Sequence, residues 1–526
     1  MRRTYLKDLI VISLSAAVFL AASWTGFYGG DDWEYSEAAN KWLSDGFFLG
    51  KTHWELRHPH VLPIAASYAL FGFGEVQLLL STVIYFILLL AVCYFFLNQF
   101  ISRKAALLTC LLLAGTPILI FITTPTRPDT VEAFFVLLSV FMFWRAAQSG
   151  APRRNLLLAG IAAGMSWLAR ETTISLLAVY GLLFLAGYRY TRWNYWIMAA
   201  GFISVLALEW AYLMALSGDP LYRYTTAIAS HGAGLVRNTG ESSLLGAGEA
   251  ASSVAGNVSV YWVIDPFLAI LFNQEFGLAF WIAIPAAIWL CFSNNVEPRH
   301  RDMARFLSLL AIIWFVLVSY GLGLREQPRY YTIPAIMAVM LIGIGFAQYG
   351  HAVSRTWRIM LMGVLIAVNL LCFYVDNENP LYEERAAIRL AKEMNEPIYT
   401  NANSALKASR LLKIKQMTAI VSDAVPPDGA IYLYVPCKEE DVPCNVLKRP
   451  EKTPEFDPSK QKAEWKQIWR DDPGRKLSGI VIEKLGLKRF VPKSIYYKLD
   501  YPSLPVTAYR VQGQAAITPG ASKKNN

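Results

Sequence analysis

Residues 29–74 read GGDDWEYSEAANKWLSDGFFLGKTHWELRHPHVLPIAASYALFGFG. A long apolar run precedes this stretch and another follows it, so it is read as the first loop on the far side of a membrane. Asp31 and Asp32 stand at the end of the first span. Beyond them Tyr35, Ala38, Ala39 and Trp42 fall at helical spacing, which predicts a short amphipathic helix on the bilayer surface. Arg57-His58-Pro59-His60 then forms a cationic cluster just before the chain turns apolar again. Acids and bases at the water–lipid boundary suit chemistry on a substrate with a charged head and a lipid tail.

Asp31 has a plainer reading. It caps the surface helix, with Glu34 completing a capping box. An isolated Asp-x-x-Glu is more often a cap than a catalyst. The doubled acid, its place at the membrane edge and the basic cluster in the same loop favour catalysis. The two roles are compatible, because a cap fixes the position of its carboxylate.

The composition agrees with a membrane protein. The 526 residues are 55% hydrophobic and 13% aromatic, with mean hydropathy +0.34. These values exclude an ordinary soluble enzyme. The formal net charge is +10. The basic residues lie mainly in short loops between apolar runs, a pattern that the positive-inside rule explains without a nucleic-acid partner. Cys93, Cys110, Cys291 and Cys372 lie in or beside apolar runs and read as small core residues. No metal-ligand spacing and no Cys-x-x-Cys motif is present.

Arg2, Arg3 and Lys7 precede an apolar run from about Leu9 to Phe27, read as a retained signal anchor with a cytoplasmic N-terminus. Further spans are expected near 76–97, 105–122, 131–147, 155–169, 172–188, 195–216, 276–292, 306–323, 331–348 and 358–374, about eleven in all. Only Arg170-Glu171 divides the runs at 155–169 and 172–188. Asp265-Pro266 breaks the run from Val260 to Asn273, which predicts a re-entrant or interfacial segment. Arg103-Lys104, Arg153-Arg154, Arg189 with Arg192, Arg299 to Arg305, and Arg355 with Arg358 mark the cytoplasmic loops. The C-terminus then lies outside. The expected fold class is mainly α, a polytopic membrane domain over residues 1–375 with its acidic loop at 29–75. Residues 376–526 form a small extracytoplasmic α/β domain. Within it, Glu383 to Asn395 reads as an amphipathic helix, and Ala430 to Val435 and Gly479 to Ile482 as strands.

Outer loops carry acids and bases beside apolar sequence: Asp31-Asp32 with Arg57-His58, Arg127 with Asp129, and Arg325 with Arg329-Tyr330-Tyr331. Such groups at membrane depth are costly and usually functional. One outer cavity accounts for them, in which a carboxylate activates a nucleophile and arginines hold a phosphate by their planar forks. Any single arginine can also snorkel from the interface, so each alone leaves both readings open.

Together these motifs resemble the GT-C membrane glycosyltransferases. Asp31-Asp32-x-x-Tyr35-x-x-x-Ala39, Gly46, Arg57-His58-Pro59 and Leu70-Phe71-Gly72 resemble that superfamily's first loop. The branch with protein O-mannosyltransferases and the lipid A aminoarabinose transferase is the nearer one. Thr126-Arg127-Pro128-Asp129, Gly160 to Glu171, and Pro328-Arg329-Tyr330 with Pro334 are similar to segments of that branch in the same order. Asp31-Asp32 replaces the Asp-Glu common among members, and His58-Pro59 replaces the Lys-Pro of aminoarabinose transferases.

The resemblance implies an inverting glycosyltransferase that uses a polyprenyl-phosphate-linked sugar and a lipid, glycan or protein acceptor. It also implies action from a bacterial inner membrane, facing the periplasm, in cell-envelope glycosylation. Asp31 is then the general base, or a ligand of a divalent cation near the donor phosphate, with Asp32 beside it. Tyr35, Arg57, His58, Arg127, Asp129, Arg325, Arg329 and Tyr330 are the candidate substrate ligands. In an oxidising periplasm Cys437 and Cys444 are expected to form a disulfide. A lipid-linked-sugar flippase is the competing class; it predicts internal repeats and paired broken helices, and no such repeat is found.

Overall fold

The computed structural model describes residues 2–148, 151–228, 260–322, 324, 327–349, 354–376, 381–434, 465–490, 500 and 505–512. The chain divides into two compact units. One comprises Met1–Gly26, Glu34–Gly72 and Val76–Tyr374, the other Phe27–Trp33, Phe73–Glu75 and Val375–Asn526. Both ends of the acidic loop therefore cluster with the C-terminal part of the chain.

The first unit is helical. Its elements include α1 (Arg2–Ala22), most of α2 (Asp31–Ser44), α3 (His58–Phe71), α4 (Glu75–Phe100), α5 (Arg103–Ala114), α6 (Pro117–Thr123), α7 (Pro128–Ala146) and α8 (Pro152–Ala169). Next come α9 (Ile174–Ala186), α10 (Arg192–Ser217), α11 (Val260–Phe272), α12 (Ala279–Phe292), α13 (Pro298–Val316), α14 (Thr332–Tyr349) and α15 (Arg355–Asp376). Local sequence sets many boundaries. Pro59, Pro117, Pro128, Pro152 and Pro298 open helices, where a missing N–H costs nothing. Gly187 and Gly218 end α9 and α10 in left-handed conformations, φ 63° and 72°.

Among the described residues five helices are long and apolar enough to cross a membrane, and the pair α5–α6, bent by 60°, makes a sixth candidate. The expected number, about eleven, is larger. The apolar helices α9 and α12 have only 13 and 14 residues, a rise of about 20 Å against a hydrocarbon core of about 30 Å. The span expected at 105–122 breaks between Ala114 and Pro117. Asp129, Glu132 and Arg145 interrupt the apolar character of α7. Helix α11 runs through Pro266 rather than breaking there.

Helix α8 packs along both α7 and α10. A Cβ at Gly160 would overlap the Met198 carbonyl of α10, and one at Gly201 the Leu157 carbonyl of α8. Glycine on both helices thus permits the backbone approach that small residues give to membrane helices. The C-terminus of α8 consequently lies by the start of α7 and the end of α10. Arg170 is extended (φ −163°), and a 3-10 turn at Glu171–Thr173 leads into α9.

The 19 residues of α7 rise about 28 Å and separate two ends of this unit. Asp129 stands at one end. At the other, Trp144 packs on Phe100 at the close of α4 and lies 3.7 Å under the Arg189 guanidinium. Arg189 pairs with Asp302 of α13, and Arg103 pairs with Asp8 of α1 through Nε at 2.6 Å. The basic N-terminal turns of α1 and the basic loops after α4 and α9 are thus held at the Trp144 end by acids of their own.

The second unit holds α16 (Tyr382–Met394), α17 (Ala402–Ile414) and α18 (Leu477–Lys484). Its sheet has the order β2-β1-β3-β5-β4, where β1 is Ile398–Tyr399, β2 Val421–Ser422, β3 Ile431–Tyr434, β4 Lys466–Asp471 and β5 Val506–Arg510. β1 is parallel to β2 and β3, and β5 is antiparallel to β3 and β4. Ala386, Leu390, Ile398, Ile431, Leu433, Val506 and Ala508 form its core. The strand expected at Gly479–Ile482 is instead part of α18. Its β-branched run suggested a strand, but Asp500 lies so close to Gly479 that a Cβ there would overlap it.

Candidate functional site

The chain turns into α2 through Phe27–Trp33. Gly29 has φ +73° there, a backbone that glycine adopts without cost. Asp32 is buried and its two carboxylate oxygens accept backbone N–H groups. Oδ2 accepts from Tyr28 at 2.5 Å and Gly29 at 3.3 Å, and Oδ1 from Gly30 at 2.7 Å and Trp33 at 3.1 Å. Asp32 therefore gathers the amides of the turn. Burial pushes the Asp32 carboxyl up to about 6, against the opposing pull of those amides, with the Asp31 charge adding to the rise. Asp31 is half-buried at the first position of α2.

On the next turns of α2, Tyr35, Ala38 and Ala39 are fully buried, as their spacing predicted. The Arg57 Nη1 donates to Tyr35 Oη at 2.7 Å, and Nη2 lies 3.5 Å from Glu171 Oε2. Glu171 is a hub. Its Oε1 accepts from Arg223 Nη2 at 2.9 Å, and Arg223 Nη1 reaches Glu209 Oε1, also at 2.9 Å. The side chains of Arg223 and Glu209 are fully buried, whereas that of Glu171 is 35% exposed. A second group joins it through the chain: Arg170 pairs with Asp129, and its guanidinium lies 4.2 Å from the Tyr330 ring centroid. Arg329 faces the same ring at 5.6 Å. Glu132 accepts from Thr172 Oγ1 at 2.6 Å and Thr173 Oγ1 at 3.0 Å, bracing the 3-10 turn.

The cationic reading of residues 57–60 reduces to Arg57. Burial lowers His58 to about 4, aided by the Arg223 charge, and lowers His60 to about 3, aided by Arg57. His60 stands edge-on to Tyr35, and His58 edge-on to Tyr212 at 4.9 Å. Trp42 stacks on Tyr212 at 6.0 Å, so His58, Trp42 and Tyr212 make an aromatic shelf.

Tyr35, Arg57, Asp129, Arg329 and Tyr330 thus take part in this connected polar and aromatic assembly. Arg127 is half-buried in the position before α7. Arg325, Cys437 and Cys444 lie outside the described residues. Among the described residues no three His, Cys, Asp or Glu side chains are grouped as metal ligands.

Sequence reading missed Glu132, Glu209 and Arg223. Glu209 lies deep in the apolar helix α10, and Glu132 in α7. A lone acid in such a run demands a partner, and that was the available signal. For Arg223, beyond the end of α10, no comparable signal exists.

Residues 58–215 match the family model described as dolichyl-phosphate-mannose-protein mannosyltransferase. The crystal structure of ArnT from Cupriavidus metallidurans bound to undecaprenyl phosphate superposes with TM-score 0.52 and 15% identity, covering 81% of this chain and 93% of that one. The Archaeoglobus fulgidus oligosaccharyltransferase, in complex with zinc and sulfate, gives TM-score 0.49 and 15% identity, covering 77% of this chain and 61% of its own. No curated protein matches the chain. The chain shares the fold of ArnT, and the segment matched by the family model holds α3 through most of α10.

Proposed function

We propose that this multi-pass membrane glycosyltransferase of the GT-C type transfers a sugar from a polyprenyl-phosphate-linked donor to a lipid, glycan or protein acceptor, with inversion. The observation that carries the reading is the ionic chain from Arg57 through Glu171 and Arg223 to Glu209. Charges this deeply buried are expensive to keep. A phosphate headgroup whose tail stays in the bilayer is a ligand that repays them. ArnT binds undecaprenyl phosphate, which supports a lipid phosphate as the handle of the donor.

In this scheme Asp31 is the general base. As the acceptor hydroxyl oxygen attacks the anomeric carbon, its proton passes to the Asp31 carboxylate. The bond from that carbon to the phosphate oxygen breaks, and its electron pair leaves with the polyprenyl phosphate. Asp32 holds the turn that presents Asp31. Arg57, oriented by Tyr35, takes a non-bridging phosphate oxygen and offsets the leaving charge. Arg329 and Arg127 are further phosphate ligands, Tyr330 and Asp129 order Arg170, and Arg325 is proposed as another from the sequence alone. The shelf of His58, Trp42 and Tyr212 packs the sugar or the first prenyl units.

The active face and residues 376–526 are assigned to the exterior, the periplasm of a bacterial inner membrane. The gathering of basic loops at the Trp144 end supports this orientation. The family match favours transfer over the flippase alternative.

Replacing the base tests the reading. Asp31→Asn is expected to fold in membranes and to lower turnover about 100-fold or more, with Asp32→Asn milder. Near-normal turnover in Asp31→Asn would return this residue to a capping role. Equal losses in both variants would mean a shared proton and refute the division of labour.

A further inference from the structure

The turn that presents Asp31 belongs to the same compact unit as the C-terminal domain. Arg410 of α17 donates from Nη1 to the Gly29 carbonyl at 2.8 Å. Its guanidinium also faces the Trp33 ring, 5.8 Å from the centroid. One turn along α17, Lys413 faces the same ring at 5.4 Å. On the other side of Arg410, Lys407 faces Tyr28 at 5.7 Å. Spacing of three residues puts these cations on one face of the helix.

The other end of the acidic loop is held in the same unit. Glu75 Oε1 accepts the Phe27 backbone N–H at 3.1 Å, and Arg385 reaches that oxygen at 3.3 Å. Lys415 lies 3.4 Å from Oε2. Where the loop leaves the first span and where it enters the second, it is thus tied to α16 and α17.

We propose that Arg410 is a positioning residue: the C-terminal unit grips the backbone of residues 27–33 through the Gly29 carbonyl and Trp33, and so holds Asp31 in its reactive orientation. The consequence for turnover rests on the reading of Asp31 as the base; the grip itself does not. Asp32 fixes the turn from within by collecting its amides. Arg410 fixes it from outside by taking an outward carbonyl and covering the indole. The two act on different backbone groups of the same residues, so loss of Arg410 removes one restraint and lets the turn, with its Asp32 bonds, open more often. A shift of an ångström in a reacting group costs far more in rate than in binding.

The test uses the purified full-length protein and the variants Arg410→Ala, Arg410→Lys and Arg510→Ala. Arg510 pairs with Glu396 at 2.7 Å and donates to the Gly429 carbonyl at 2.9 Å. Both partners belong to the same unit and lie outside residues 27–33, so this variant reports on stability of the unit alone. Arg410→Ala is expected to raise hydrogen–deuterium exchange of residues 27–33 about tenfold, the scale of one net hydrogen bond. It should lower kcat by about tenfold while KM for the lipid-linked donor stays within about twofold. Arg410→Lys, which keeps the charge and one donor, should recover part of both effects. Arg510→Ala should change neither. Unchanged exchange in Arg410→Ala would overturn the grip. Faster exchange with unchanged kcat, or an equal kcat loss in Arg510→Ala, would overturn the positioning role. Exchange does not depend on the chemistry, so a protein without transferase activity would sink the Asp31 reading while the grip is judged separately.

Discussion

The two ends of α7 hold charge in different ways. At the Trp144 end, Arg103 and Asp8 pair with the arginine side chain 51% exposed, and Arg189 pairs with a half-exposed Asp302. At the Asp129 end, Arg170, Asp129, Arg223 and Glu209 are all buried, and Glu171 bridges two arginines that come from distant parts of the chain. Exposed pairs contribute little to stability. Buried ones lose most of their attraction to desolvation. A fold that needed only to tie helices together could use the first arrangement at both ends. Accumulation of buried charge at one end is what a site for a charged headgroup requires, and it supports the proposal that this end is the working face.

The sharpest way to break this contrast is to remove one member from each end. Arg170→Gln leaves Asp129 buried without its cation and should cost about 3–5 kcal/mol. It should appear as a large drop in thermal midpoint of the detergent-solubilised protein. Arg189→Gln should cost no more than about 1 kcal/mol. Equal drops would erase the distinction between the two ends.

Asp32 extends the comparison to a buried charge satisfied by amides rather than guanidinium groups. Its folded-state value is raised to about 6. Folding therefore favours the protonated acid. That contribution is full below about pH 4 and is lost as the pH rises through about 6, a change of roughly 3 kcal/mol. Asp32→Asn has no such proton to lose. It should be less stable overall, since its amide nitrogen would face backbone N–H groups, and its stability should be flat between pH 4 and 7. A slope equal to that of the parent protein would place the titrating group elsewhere.

Smaller effects separate the ends in catalysis. Arg57→Gln should lower kcat/KM for the lipid-linked donor on the order of 30-fold, the scale of one charged hydrogen bond. Arg57→Lys should restore little, because lysine cannot serve Tyr35 and a phosphate with one fork. Arg103→Gln, at the opposite end, should stay within about twofold of the parent. A larger loss there than in Arg57→Gln, read from steady-state kinetics, would move the working face to the other end of α7.

What was legible in the sequence followed the range of the interactions. The buried face of α2 needs only the spacing of Tyr35, Ala38 and Ala39. That Asp129 and Arg329 take part in a polar and aromatic assembly could be read from charges set beside apolar runs. The hub was not legible, because Glu171 is completed by Arg57 and Arg223 through the packing of α8 against α10, which Gly160 and Gly201 allow. Nor was it legible that Phe27–Trp33 would cluster with residues beyond 375. The run at 105–122 is broken and bent at Ala114–Pro117, which hydropathy alone does not show. The misread strand at 479–482 shows the same limit, since the contact of Gly479 with Asp500 is not visible in the local pattern.

The central claim, that the buried charge serves a lipid phosphate and leads to sugar transfer, is tested most directly by donor choice. Purified protein is given the same sugar on a polyprenyl phosphate and on a nucleotide, with a mixed envelope extract as acceptor, and the glycosidic product is measured. The account predicts product from the polyprenyl-linked donor, abolished in Asp31→Asn and reduced in Arg57→Gln. Product from the nucleotide-linked donor alone, or movement of the lipid-linked sugar across the bilayer without any product, would contradict it.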